Sequence, residues 1–230
     1  MALSATFIGS TGTGNSGNTS ISLGAYNQAA GNTIVVATEL YDPSTSGNAL
    51  SSITDTAGNT YTPVFAGHGF SSGGTLWDQI WVASNCLGNA ANIVKANYTG
   101  TVNFSTMAAY DLGGASNIVL DVSNTNTGNG TAGASSAYTT STANEVLIAF
   151  ISTVSGGLTT TAVNSGYTLD NGTIQGNSTN LTGIAHNVVN TLQTGAVVTF
   201  TNNNTNWNVL FTSFKGSASA KRGSVIIITT

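Results

Sequence analysis

Apolar residues along this chain come in short β-branched runs that alternate with polar positions and stop at clusters of Gly, Asn and Ser. Alternation of period two between turn residues predicts strands. Residues 5–9 (ATFIG) and 19–23 (TSISL) alternate or nearly so, and residues 33–40 (TIVVATEL) are apolar enough for a central strand. Asp42-Pro43-Ser44 ends that strand, because proline lacks a donor and restricts the residue before it. Further strands are expected at 51–54, 60–65, 76–84, 91–98, 101–112 and 117–122, and then at 145–154, 167–169, 183–189, 196–201 and 207–214. The segment Asp55-Thr56-Ala57-Gly58-Asn59 has an acceptor side chain at its start and a Gly-Asn pair suited to positive φ, so it reads as a hairpin turn. Residues 85–90 have the length of a second hairpin connection. Residues 123–136 (SNTNTGNGTAGASS) read as a polar, Gly-rich loop. No segment combines a 3.6-residue period with good helix formers, and so many short strands bury best in two packed antiparallel sheets.

Composition sharpens this picture. The chain has 230 residues, of which only 5% are charged, where about a quarter is usual. Hydroxyls, side-chain amides and backbone must therefore solvate the surface, and such neutral faces approach one another at little desolvation cost. A hydrophobic fraction of 40% is too high for a disordered chain. Nucleic acid is excluded as a partner: the net charge is −4, with four Lys and Arg in all, and phosphate backbones need basic clusters. No apolar run is long enough to span a bilayer as a helix, so no transmembrane segment is expected. The N-terminal residues show no basic segment followed by an apolar one, so no secretory signal is expected in them. The Asn- and Thr-rich composition points to an extracellular setting or to a cell or particle surface. The single cysteine, Cys86, allows no intrachain disulfide and reads as a small buried hydrophobe.

Candidate chemistry is sparse. Glu39 and Asp78 are the best-matched carboxylates for a glycosidase, which holds two acids across a sugar cleft. Nothing in the sequence joins them, and both are expected to face solvent at alternate strand positions. His68 and His186 do not form a zinc spacing with Cys86. No cofactor is expected, although Asp42, Asp55 and Asp121 are oxygen donors suited to calcium. Trp77 and Trp81 lie four apart on one strand and so share a face, roughly 13 Å apart. Gln79 stands between them on that face, with Ile80 and Val82 on the opposite, core-like one. An exposed pair of this kind would stack on sugar rings.

Taken together, several pieces carry a resemblance. They are the opening strand ATFIG, the long apolar strand at 32–40, and the turn formed by Asp55, Gly58, Asn59 and Tyr61. The aromatic strand with Trp77, Ile80, Trp81 and Val82, the strand at 93–98, and the segments Tyr110-Asp111-Leu112-Gly113, 141–147 and 206–215 complete the set. Over roughly residues 5–215 the chain resembles β-sandwich modules of bacterial surface and metagenomic proteins that carry an Asp-x-x-Gly-Asn-x-Tyr turn. The resemblance implies a jelly-roll-like sandwich and no catalytic residues.

The expected fold is thus all-β, an antiparallel two-sheet β-sandwich with jelly-roll-like character. Residues 1–215 form one domain, and 216–230 form an extension ending in a strand. That extension carries Val225, Ile226, Ile227 and Ile228, an apolar β-prone run that departs from the family pattern and suits strand addition to a neighbouring subunit. The function expected is a non-enzymatic structural subunit of an extracellular filament, sheath or particle surface. Its partners would be further copies in a homo-oligomer or polymer. The alternative is a carbohydrate-binding or adhesin module that grips a glycan through Trp77 and Trp81.

Overall fold

The computed structural model describes residues 2–41, 49–65, 76–154, 162–175 and 180–217. Among these there is no helix. The strands are β1 (Ser4–Ser22), β2 (Tyr26–Gln28), β3 (Thr33–Tyr41), β4 (Leu50–Asp55), β5 (Thr62–Pro63), β6 (Leu76–Ala83), β7 (Asn89–Asn92), β8 (Val94–Gly113), β9 (Ile118–Ala134), β10 (Glu145–Val154), β11 (Ala162–Val163), β12 (Thr168–Gln175), β13 (Asn180–Val189) and β14 (Thr199–Gly216). All recorded pairings are antiparallel.

Two six-stranded sheets share one topology. The first runs β1-β8-β3-β6-β5 with β4 also on β8, and the second runs β9-β14-β10-β13-β12 with β11 also on β14. Reading β1, β3, β4, β5, β6, β8 as β9, β10, β11, β12, β13, β14 preserves both chain order and every neighbour. The match extends to single residues. Phe7 pairs with Tyr110 just before a one-residue bulge in β1, and Leu120 pairs with Phe214 just before the same bulge in β9. From there Tyr110 pairs with Val35 and Val35 with Val82, while Phe214 pairs with Val146 and Val146 with Val188. The chain is an internal duplication of one sheet plan, with the small β2-β7 sheet found, among the described residues, only in the first half.

Three apolar clusters hold the fold. One joins the two sheets and draws on Val35, Ile80, Tyr110 and Leu112 of the first with Val146, Ile148, Phe150 and Phe214 of the second. The other two lie on the outer faces of the sheets. One sheet is nearly barrel-shaped. In the first sheet the long strand β8 pairs with β3 along 104–112 and with β4 along 94–98, so β4 folds over the outer face and encloses Ile34, Val36 and Met107 with Ile53, Val94 and Ala96. In the second sheet Leu147, Ala149 and Ile151 are covered by Phe200, Trp207 and Tyr138, whose ring stacks on Phe211 at 3.9 Å. Strands covered on both faces need apolar residues at every position, which is why TIVVATEL and EVLIAFISTV read as unbroken apolar runs.

Two local expectations are corrected. Residues 123–134 are not a loop but belong to β9, paired along its length with β14. The glycines there give the Trp207 ring its space, since a Cβ on Gly128 would lie 2.5 Å from it. Nor do β4 and β5 form a hairpin around Asp55: β4 pairs with β8 and β5 with β6. Likewise residues 85–90 do not close a hairpin, because β6 pairs with β3 and β7 with β2.

Candidate functional site

Side chains of odd number on β3 and even number on β6 and β8 point toward the second sheet, as Val35, Ala37, Ile80, Val82, Ala108 and Tyr110 show. Glu39 and Asp78 belong to these series. They are directly opposed in the β3–β6 register and are buried, at 1% and 0% exposure. This corrects the expectation that both face solvent: the inward phase of their strands carries them into the gap between the sheets. Thr106 stands opposite Glu39 on the other side, completing a row of Asp78, Glu39 and Thr106. The second sheet presents its own buried row, Thr182, Ser152 and Asn208, in register on β13, β10 and β14.

The rows bond to each other. The Ser152 hydroxyl donates to Asp78 Oδ2, and Asn208 Nδ2 donates to the same oxygen at 2.9 Å. Thr106 donates to Glu39 Oε2 at 3.1 Å, and Thr182 bonds to Thr106 at 3.3 Å. Glu39 Oε1 and Asp78 Oδ1 have no hydrogen-bond partner. Burial pushes Asp78 up to about 7, against the pull of the Ser152 and Asn208 donors. It also lifts Glu39 well above the usual carboxylate range, helped by the neighbouring Asp78. Further along the gap between the sheets, Asp170 Oδ2 accepts from the Tyr110 hydroxyl and lies 2.6 Å from His186 Nδ1, tying β12 and β13 to β8.

The outer face of β6 carries the aromatic pair. Trp77 is 43% exposed, while Trp81 is half-buried against the outer cluster of its sheet. Trp81 Nε1 donates to Gln79 Oε1 at 2.7 Å, which places these two side chains on one face and leaves the Gln79 amide nitrogen as a donor. Ile80 and Val82 lie on the opposite face, in the cluster between the sheets.

The calcium candidates are differently placed. Asp55 accepts from the Asn59 backbone N–H (2.9 Å), the Asn59 amide (2.7 Å), the Tyr61 hydroxyl (2.8 Å) and the Asn92 amide (3.1 Å). Burial raises it, but these donors outweigh burial and hold it below the ordinary aspartate range. The Asp-x-x-Gly-Asn-x-Tyr spacing is thus a self-capped turn: Gly58 supplies φ +81°, and Asn59 and Tyr61 return to Asp55. Asp121 accepts from Lys215 Nζ and the Ser141 hydroxyl, both at 2.5 Å, and is likewise lowered despite its burial. Asp42 and the segment with Val225, Ile226, Ile227 and Ile228 lie outside the described residues. Among the described residues no three His, Cys, Asp or Glu side chains come together as a metal site would require. No helix among them is long and apolar enough to cross a membrane.

The sheet edges differ sharply. At one edge of the first sheet stands β5, two residues long and half proline. At the other stands β1, 19 residues without a charge or a proline. Its counterpart β9 is 17 residues long, and its one charge, Asp121, is held by Lys215. No protein-family model, curated protein or solved structure matches the chain.

Proposed function

We propose that the chain is a non-enzymatic structural subunit of an extracellular filament, sheath or particle surface, in which copies join edge to edge through β1 and β9. The carrying observation is the contrast between the edges. Natural sheets guard their edges with short strands, prolines, bulges and charges, because an unpaired ladder recruits another strand. β5 is guarded by its length and its proline, whereas β1 and β9, though each is bulged, are long and almost uncharged, and no second strand among the described residues pairs with either. Exposed Val119 and Leu120 on β9 add apolar surface to the same edge. So few charges oppose such contacts weakly, and an edge covered by its like gains main-chain hydrogen bonds.

In this reading the two sheets pack face to face as a β-sandwich. A jelly-roll winding would pass the chain back and forth between sheets, whereas here β1–β8 are complete before β9 begins. The sandwich is therefore two like-wound sheets in series. The resemblance to bacterial surface modules supports the extracellular setting. The non-enzymatic reading draws on the burial of Glu39 and Asp78, since acids sealed between sheets offer no cleft to a sugar.

The test is particle mass by light scattering, with electron microscopy, for the wild type and for Thr19→Lys with Thr127→Lys, both exposed on the two edges. Assemblies that dissolve into folded monomers in the double variant are the expected result. A wild-type protein that stays monomeric at high concentration overturns the reading. Exposure of Trp77 beside Gln79 and Trp81 favours a second reading, a glycan-binding face. Quenching of tryptophan fluorescence by soluble glycans, abolished in Trp77→Ala, would support it.

A further inference from the structure

Two carboxyl groups opposed on neighbouring strands and sealed from water do not both ionise without a counter-charge. Neither ion pair among the described residues, Lys215–Asp121 or His186–Asp170, supplies one to Glu39 or Asp78. The groups that face them are neutral: Thr106 from β8, Ser152 from β10, Thr182 from β13 and Asn208 from β14. Among the described residues, Glu39 also raises the Tyr98 phenol of β8, which carries no positive charge in either form. The two rows touch through the Ser152–Asp78 and Asn208–Asp78 bonds, so a proton fits this gap better than a hydrated ion. One oxygen on each carboxyl, Glu39 Oε1 and Asp78 Oδ1, has no other hydrogen-bond partner and is open to that proton.

The duplication shows that packing does not require acids here. Four residues beyond Val35 lies Glu39, and four beyond Val146 lies Phe150. Four before Val82 lies Asp78, and four before Val188 lies Ile184. Phe150 and Ile184 are directly opposed, just as Glu39 and Asp78 are, and both are fully buried in the cluster between the sheets. The sister sheet thus fills the equivalent pair of positions with hydrophobes, which are the more stabilising choice for a buried pair.

We propose that Glu39 and Asp78 hold a proton in the gap between the sheets and form a latch that is closed in acid and opens as the proton is lost at higher pH. On opening, the acid O–H bond breaks, the proton passes to water and two carboxylates are left facing each other. The Thr106, Ser152 and Asn208 donors cannot compensate both charges, so this end of the gap takes up water or parts. The direction follows from burial. Both groups sit above their ordinary values, so their stabilising contribution is full below the unfolded carboxylate range near pH ~4 and is lost as pH rises, through about 7 for Asp78 and well above the usual carboxylate range for Glu39. Asp111 and Glu145 are also raised, mainly by burial, and add a background slope of the same sign.

The experiment is denaturant unfolding of the full chain from about pH 5 to about pH 9, for wild type, Glu39→Gln, Asp78→Asn and the double variant. For each proton that the folded state retains, the wild-type folding constant falls by up to about tenfold per pH unit within the window. Each single variant has a shallower slope, and the double variant keeps the background of Asp111 and Glu145, joined near pH ~9 by the buried Cys86 thiol. Infrared difference spectra give a readout independent of stability: a protonated carboxyl carbonyl band near neutral pH in wild type, lost in the double variant. Equal slopes in all four proteins, or no such band, overturn the proposal. A rise in wild-type melting temperature with calcium or magnesium near pH 8, absent in the double variant, also overturns it, because a cation would then hold the pair.

Discussion

Trp207 on β14 lies over Gly128 on the neighbouring β9, with which it is directly paired, and a Cβ added at Gly128 would stand 2.5 Å from its ring. The same ring approaches Gly133, where an added Cβ would meet Ile151 at 2.5 Å. Glycine is thus a packing choice in this strand: its missing side chains form the slot that the indole fills. Gly128→Ala is expected to cost about 1–3 kcal/mol by overpacking, read as a lower denaturation midpoint and a shifted tryptophan emission. An unchanged midpoint would show that the slot widens freely.

Asp55 and Tyr61 make the second strong local relationship. Tyr61→Phe removes one donor from a carboxylate and is expected to cost about 1 kcal/mol, while Asp55→Ala strands several donors and costs about 2 kcal/mol or more. The pH dependence has the opposite sign to that of the buried acid pair. The Asp55 value is lowered in the folded state, so its contribution is present above the ordinary aspartate range and is lost as pH falls through the lowered value. Acid titration of Asp55→Asn, compared with wild type, should show less destabilisation at the low end.

Trp77 and Trp81 are expected to part company on truncation. Trp77→Ala removes a side chain that is 43% exposed and should change stability by less than about 0.5 kcal/mol. Trp81→Ala removes an indole that packs on the outer cluster and leaves Gln79 without its partner, so it should cost about 2–3 kcal/mol. Iodide quenching should report mainly Trp77. Equal losses on truncation would contradict this division.

Cys86 should be inert. It is 3% exposed and lies 3.1 Å from the Ala83 carbonyl, and burial pushes its thiol up to about 11. A thiolate-selective reagent should label it only after denaturant is added. Rapid labelling of the native protein would place the thiol at the surface.

Alternation told many of the strands, though not the Gly-rich part of β9 or the middle of β1, and, for β6, which residues share a face: Trp77, Gln79 and Trp81 against Ile80 and Val82. The same parity put Asp78 with Ile80 and Val82, so the burial of that acid was legible, although a lone carboxylate in an apolar strand invites the opposite reading. The Asp55 turn was legible as a turn because its chemistry is local: an acceptor, a positive-φ glycine and two returning donors lie within seven residues. Its hairpin was not, because the strands on either side choose partners far along the chain.

Tertiary structure decided what depends on such distant partners. The Gly-rich run became strand β9 because β14 offers it a full ladder and an indole that requires glycine. The duplication emerges only from the pairing of strands, since Glu39 and Phe150, or Asp78 and Ile184, share no residue type. Which acids meet is likewise set by register between β3 and β6, and a slip of one residue would turn either one to the other face. Local composition specifies an all-β chain with little charge, while non-local pairing alone brings Glu39 against Asp78 and leaves β1 and β9 at the edges.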